Sequence, residues 1–206
     1  MSILIAGRNG FIGNLLVTNL KQYDWIYIER NDNHYLNEKF VLEKDFLYDE
    51  ILLDYDTFLL TIGSGNFKYF LDMTEDELNK TYNDNFNKPF IYLQAVSKYF
   101  KKRGKGNIIV INSLSAINAN RYGSTYCSFK SALSMLVKVI RKELKKNNIK
   151  ISQIYLPPIN SPMTDMLPEK IDSGCLDKKE VLSIINNSII NCNNKDIIVK
   201  TKLKCR

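Results

Sequence analysis

The chain has 206 residues, 45% hydrophobic and 25% charged, with a formal net charge of +7 and an isoelectric point of about 9.1. That length suits a single domain over residues 1–206, and the composition excludes a disordered chain, a collagen-like fibre and a disulfide-dense miniprotein. No apolar run approaches the roughly 20 residues needed to cross a bilayer, and no basic leader or cleavage site opens the chain, so a cytoplasmic protein without a membrane partner is expected. Short apolar runs alternate with longer amphipathic stretches. Residues 3–6 read as a buried strand, and residues 11–22 follow with helical spacing. Residues 25–28 read as a second strand, 39–42 as a weaker third and 57–62 as a fourth. Thr74-Glu75-Asp76-Glu77 fits a capping box and opens a helix, and after a possible break residues 86–102 form a longer one. Residues 107–112 are an Ile/Val-rich strand behind the stop signals Gly104 and Gly106. A long helix over 124–146, a strand over 149–155, a helix over 178–192 and a last strand over 196–199 complete the chain. Near-continuously apolar strands alternating with helices indicate an α/β fold, a doubly wound and mainly parallel sheet of about seven strands covered on both faces. Residues 157–177 hold most of the prolines and read as a long loop, the kind that usually carries function.

Lysine-rich runs lie at residues 98–105, 138–150 and 195–206. Such runs attract anionic partners, but no aromatic-interleaved basic motif accompanies them. Solvated helix faces and an exposed tail account for them, and no nucleic-acid partner is expected. The cysteines Cys127, Cys175, Cys192 and Cys205 show no C-x-x-C spacing, and the single histidine, His34, sits in a polar stretch. No metal site is expected, and free thiols suit a reducing compartment.

The first strand runs into Ala6-Gly7-Arg8-Asn9-Gly10-Phe11-Ile12-Gly13. Glycines at a three-residue period between a strand and a helix let the backbone approach a pyrophosphate, and the helix N-terminus offers it free N–H groups. A dinucleotide site on residues 7–13 is therefore expected, against a purely structural tight turn. Glu29, at the end of the second strand, is placed to bind the ribose hydroxyls of NAD. Arg30 and Arg8 are placed to pair with the 2′-phosphate of NADP. Two arginines against one carboxylate tilt the expectation slightly from NAD(H) to NADP(H).

Tyr126-Cys127-Ser128-Phe129-Lys130 puts a phenol and an ammonium at i and i+4, on one helix face. An ammonium near a phenol lowers its pKa, and a phenol so tuned can act as a general acid or base. Upstream, the strand 106–113 ends on Ser113, and strand C-termini in open parallel sheets face the ligand crevice. The Ser113 hydroxyl is expected to bond the substrate oxygen that Tyr126 protonates.

With these motifs the sequence resembles the short-chain dehydrogenase/reductase family, with its Rossmann-like fold, over nearly the whole chain. The resemblance puts the catalytic set on Asn85, Ser113, Tyr126 and Lys130. It also aligns Asp45-Phe46 with the adenine contact. Pro157-Pro158-Ile159-Asn160-Ser161-Pro162-Met163 matches the nicotinamide-side segment, so Pro157 and Ile159 are expected at the cofactor. The family's Asn-Asn-Ala-Gly is Leu60-Thr61-Ile62-Gly63 here, so Gly63 survives and the amides do not. By this resemblance the reaction is hydride transfer between nicotinamide and a carbonyl or alcohol carbon. Tyr126 exchanges the proton, Lys130 holds the ribose, Ser113 orients the oxygen and Asn85 positions a relay water. Ser113, Ser115, Arg121 and Tyr126 are the expected substrate contacts, Arg121 suiting a sugar-nucleotide or other anionic metabolite. Family members pair through the helices here at 86–102 and 124–146, which implies a homodimer or homotetramer. The alternative is a dinucleotide-binding sensor or scaffold without turnover, motivated by the altered 60–63 segment.

Overall fold

Strands buried on both faces have no polar side to turn to water, so they pair in parallel and take their cover from the helices between them. In the computed structural model, which describes residues 1–29, 39–42, 54–169 and 174–200, the strands are β1 (Ser2–Ala6), β2 (Asp24–Glu29), β3 (Lys39–Leu42), β4 (Thr57–Leu60), β5 (Gly106–Ser113), β6 (Ile149–Leu156) and β7 (Asp196–Ile198). They form one seven-stranded sheet in the order β3-β2-β1-β4-β5-β6-β7, every pairing parallel. Helices α1 (Phe11–Asn19), α2 (Glu75–Tyr82), α3 (Lys88–Arg103), α4 (Ser124–Glu143), α5 (Pro162–Asp165) and α6 (Lys178–Ile190) connect them.

Alternate residues of each strand feed two cores. Leu4, Phe58, Leu60, Ile108 and Val110 pack with Leu93 and Val96 of α3 and with Leu133 and Val137 of α4. Ile3, Ile5, Leu59, Ile109 and Ile111 pack with Leu15 and Leu16 of α1 and with Val181, Ile185 and Ile189 of α6. The chain leaves β1 toward β2 and β3, then returns to β4 on β1's other side. The C-terminal ends of β1 and β4 thus diverge at a topological switch point, where open α/β sheets leave a ligand crevice.

Several boundaries differ from the sequence expectation. The first helix stops at Asn19, three residues early, because the Leu20 carbonyl turns to accept the Trp25 indole N–H at 3.0 Å. The long helix ends at Glu143, followed by a tighter turn (Lys145–Asn147) and Asn148 at φ 53°. The expected loop 157–177 carries the short helix α5, started by Pro162, and a parallel bridge between Ile159 and Leu176. Arg30, His34, Asp45, Phe46 and Cys205, and the side chain of Glu29, lie outside the described residues.

Candidate active site

The glycine turn follows β1 directly. Gly7 adopts φ +100°, a conformation that side chains resist, and a Cβ on Gly13 would collide with the Gly7 carbonyl. The Gly10 N–H donates to that same carbonyl at 3.1 Å. Helix α1 then begins with neither a side-chain cap nor an acidic residue in its first turn, so its N-terminal N–H groups and positive dipole end are open to an anion. Within the turn, Asn9 is exposed and Ile12 half-buried. Phe11 lies under the Lys178 ammonium, 5.8 Å from its ring centre, and the Arg8 guanidinium lies over the Tyr27 ring of β2 at 4.1 Å.

Beyond β4 the chain passes Gly63. A Cβ there would lie 2.7 Å from Lys130 Nζ and 2.9 Å from Asn85 Oδ1, so both side chains border the space over this glycine. Asn85 stands on a π-helical turn (Asn83–Asn87) between α2 and α3. Its register has a local cause: Pro89 has no N–H for the Asn85 carbonyl, which lies four residues before it, and the Lys88 N–H bonds five residues back to Asn83. The Asn85 amide donates to the carbonyls of Ser64 at 2.9 Å and Thr81 at 3.1 Å. Its Oδ1 is buried and has no hydrogen-bond partner.

Tyr126 and Lys130 share the inward face of α4 with Leu133, Ser134 and Val137, as the i, i+4 spacing requires. They are only 7% and 5% exposed. The Lys130 ammonium lies 5.6 Å from the Tyr126 ring centre, and burial pulls its pKa down from 10.5 to about 8. Here the structure corrects the sequence reading. The Tyr126 phenol is held above its ordinary value, because desolvation outweighs its hydrogen bond with Ser113. The ammonium is not what governs the phenol: it sits against the ring rather than at the hydroxyl, and is itself desolvated.

Ser113 closes β5. Its Oγ donates to Ser115 Oγ at 3.1 Å and accepts the Ser115 N–H. Ser115, expected at the substrate, is buried and accepts from Asn120 Nδ2 at 2.7 Å, so it buttresses Ser113. Sequence reasoning missed Asn112, whose Oδ1 accepts the Ser113 N–H while its amide donates to the Lys130 carbonyl and to Gln153. The signal was a polar residue beside Ser113, directly after the apolar run Ile108–Ile111. Also missed was Phe67, packed edge-on against the Tyr126 ring with centroids 5.3 Å apart. Arg121 stays at the rim, paired with Glu169 at 2.7 Å and largely exposed. Pro157 is buried, and Ile159 packs in the core on the α6 side.

The described residues hold no group of three or more His, Cys, Asp or Glu able to bind a metal, and no helix long and apolar enough to cross a membrane. The arrangement brings the Tyr126 and Ser113 hydroxyls within hydrogen-bonding reach of each other. It also provides a buried cation with three donors and a buried unpaired acceptor facing a common space, suited to a polyhydroxyl group.

A family model described as short chain dehydrogenase matches residues 51–172, which include Asn85, Ser113, Tyr126 and Lys130. Sepiapterin reductase of Chlorobaculum tepidum is 27% identical over 118 residues, covering 57% of this chain and 48% of the relative. L-xylulose reductase of Caenorhabditis elegans is 30% identical over 95 residues, covering 46% and 37%. Each match thus spans less than half of the relative. Among solved structures, 4-hydroxyisoleucine dehydrogenase complexed with NADH superposes with a TM-score of 0.79 at 23% identity, covering 96% of both chains. A gluconate 5-dehydrogenase from Burkholderia cenocepacia, in complex with NADP and tartrate, gives 0.80 at 16% identity, covering 97% of this chain and 93% of that one. At these identities the two structures speak for the fold.

Proposed function

Since the chain belongs to the short-chain dehydrogenase family, we propose that it is an NAD(P)-dependent oxidoreductase interconverting a carbonyl and an alcohol on a small polar metabolite. The observation that carries this reading is the pair of buried, complementary groups at Gly63: the Lys130 ammonium and the partnerless Asn85 Oδ1. Burying a cation and an orphaned acceptor is costly unless a ligand satisfies them. Ribose hydroxyls, which donate and accept, fit both. Lys130 and Asn85 would therefore hold the nicotinamide side of a dinucleotide. Gly7, Gly10, Gly13 and the α1 N-terminus would hold its pyrophosphate.

When bound, the dinucleotide supplies or takes up the hydride. In reduction Tyr126 gives its hydroxyl proton to the carbonyl oxygen, and in oxidation it takes that proton back. Ser113 holds the same oxygen by its hydroxyl, and Asn112 holds the strand end that carries Ser113. Lys130, whose ammonium lies against the Tyr126 ring, would act on the dinucleotide and not on the phenol. Arg8, stacked on β2, supports NADP over NAD. Arg121 supports an anionic substrate, which it would meet by exchanging its exposed partner Glu169.

Fluorescence titration with NADPH and NADH, followed by turnover across a panel of small carbonyls and alcohols, tests the reading. Tyr126→Phe is expected to lower turnover by at least about a hundredfold while keeping the wild-type affinity for the dinucleotide. Wild-type protein that binds the dinucleotide but turns over nothing would establish the sensor or scaffold reading instead.

A further inference from the structure

Resting on the dinucleotide reading above, we propose that the Thr61 hydroxyl positions the glycine turn and so sets the affinity for the pyrophosphate. Thr61 follows β4 at the switch point, where the sequence departs from the family's amide residues. Its Oγ1 donates to the Ala6 carbonyl at 2.9 Å and reaches the Gly7 carbonyl at 3.2 Å, a shared bond from one proton. Its backbone N–H donates to Ala6 as well, at 2.9 Å.

The Gly7 carbonyl is the pivot of the turn. It accepts the Gly10 N–H, it packs where a Cβ on Gly13 would sit, and it is drawn toward β4 by Thr61. That carbonyl faces the first turn of α1, where it accepts the N-cap Gly10 N–H and abuts Gly13, so its position fixes how the turn enters the helix. Without the Thr61 hydroxyl the carbonyl keeps its Gly10 bond but loses its tie to the end of β4, and the N–H groups of the turn are held less firmly in place for an anion. A Cβ on Gly7 would lie 2.6 Å from Thr61 Oγ1, so the hydroxyl can reach the turn because residue 7 is glycine. The hydroxyl thus ties a remote strand to the turn, a constraint that no backbone bond of β4 makes to Gly7 among the described residues. Thr61 touches no reacting atom; it acts through Gly7.

The test compares wild type with Thr61→Val, which keeps the β-branch and loses the hydroxyl, and Thr61→Ser, which keeps the hydroxyl. Thr61→Val is expected to weaken NADPH and ADP-ribose binding about fivefold to tenfold, the scale of one neutral hydrogen bond. Thr61→Ser is expected to stay within about twofold of wild type. AMP, which lacks the pyrophosphate, is expected to compete equally with wild type and Thr61→Val. Should Thr61→Val not fold, Thr61→Ala is read in its place. Unchanged NADPH affinity in the variant lacking the hydroxyl overturns the proposal, even if its melting temperature falls. So does an equal loss in Thr61→Ser, or an AMP affinity that falls by the same factor. Wild-type protein that binds neither NADPH nor NADH overturns the dinucleotide reading itself, and the proposal with it.

Discussion

Lys130 carries its charge into the interior, and that has a consequence for stability. Its folded pKa of about 8 lies below the ordinary 10.5. Below pH 8 both folded and unfolded chains hold the proton, and the folded state bears the whole burial cost. Between pH 8 and 10.5 the unfolded chain binds a proton that the folded chain does not, so stability rises with pH through that window. Replacing the cation with an apolar side chain removes the cost. Lys130→Met is expected to raise the unfolding free energy of the free protein at pH 7 by roughly 1–3 kcal/mol. It is also expected to flatten the rise between pH 8 and 10, as urea denaturation at several pH values would read. A residue whose removal stabilises the fold is one retained for a ligand.

At the scale of the element, the helix that carries Asn85 matters through its irregularity. A regular α-helix over residues 75–103 would turn residue 85 onto a different part of the helix surface. The π-helical turn before Pro89 aims the amide at Ser64 and Gly63. Pro89→Ala restores a donor for the Asn85 carbonyl and allows the regular register. That variant is expected to keep or gain thermal stability. Its turnover is expected to fall about tenfold, a split between melting temperature and kcat that a proline with a merely structural role would not produce. Helix α2 depends less on its neighbours. Its box is formed by Thr74 and Glu77, the Glu77 N–H donating to the threonine hydroxyl at 3.3 Å and the Thr74 N–H to the glutamate at 2.9 Å, as four consecutive residues suffice to foresee.

At the scale of the whole molecule, α3 and α4 together present Phe90, Ile91, Met135 and Val139, between 37% and 61% exposed. Phe90 and Val139 line a groove between the two helices together with Leu93, Ser97, Leu136 and Ile140. We propose that a second copy of the chain covers this face, the mode the family resemblance implies. Light scattering at micromolar concentration is expected to give a dimer or tetramer. Val139→Glu, which places a charge inside such an interface, is expected to shift it to monomer. A monomeric wild type would remove the expectation.

Local chemistry was legible in the residues themselves. The alternation of apolar runs and amphipathic stretches determined a parallel α/β fold, because backbone pairing and side-chain periodicity follow from near neighbours. Gly7, Gly10 and Gly13 marked the turn, and the interval from Tyr126 to Lys130 put both on one helix face. What only the tertiary structure decided is how distant groups meet and what surrounds them. Gly63, Asn85 and Lys130 come from three separate segments, and their shared space exists only once β4, the π-helical turn and α4 are packed together. The direction in which the Tyr126 phenol is moved is of the same kind. Spacing supplies a nearby ammonium, but desolvation is set by every element that closes over the ring, and here desolvation is the larger effect.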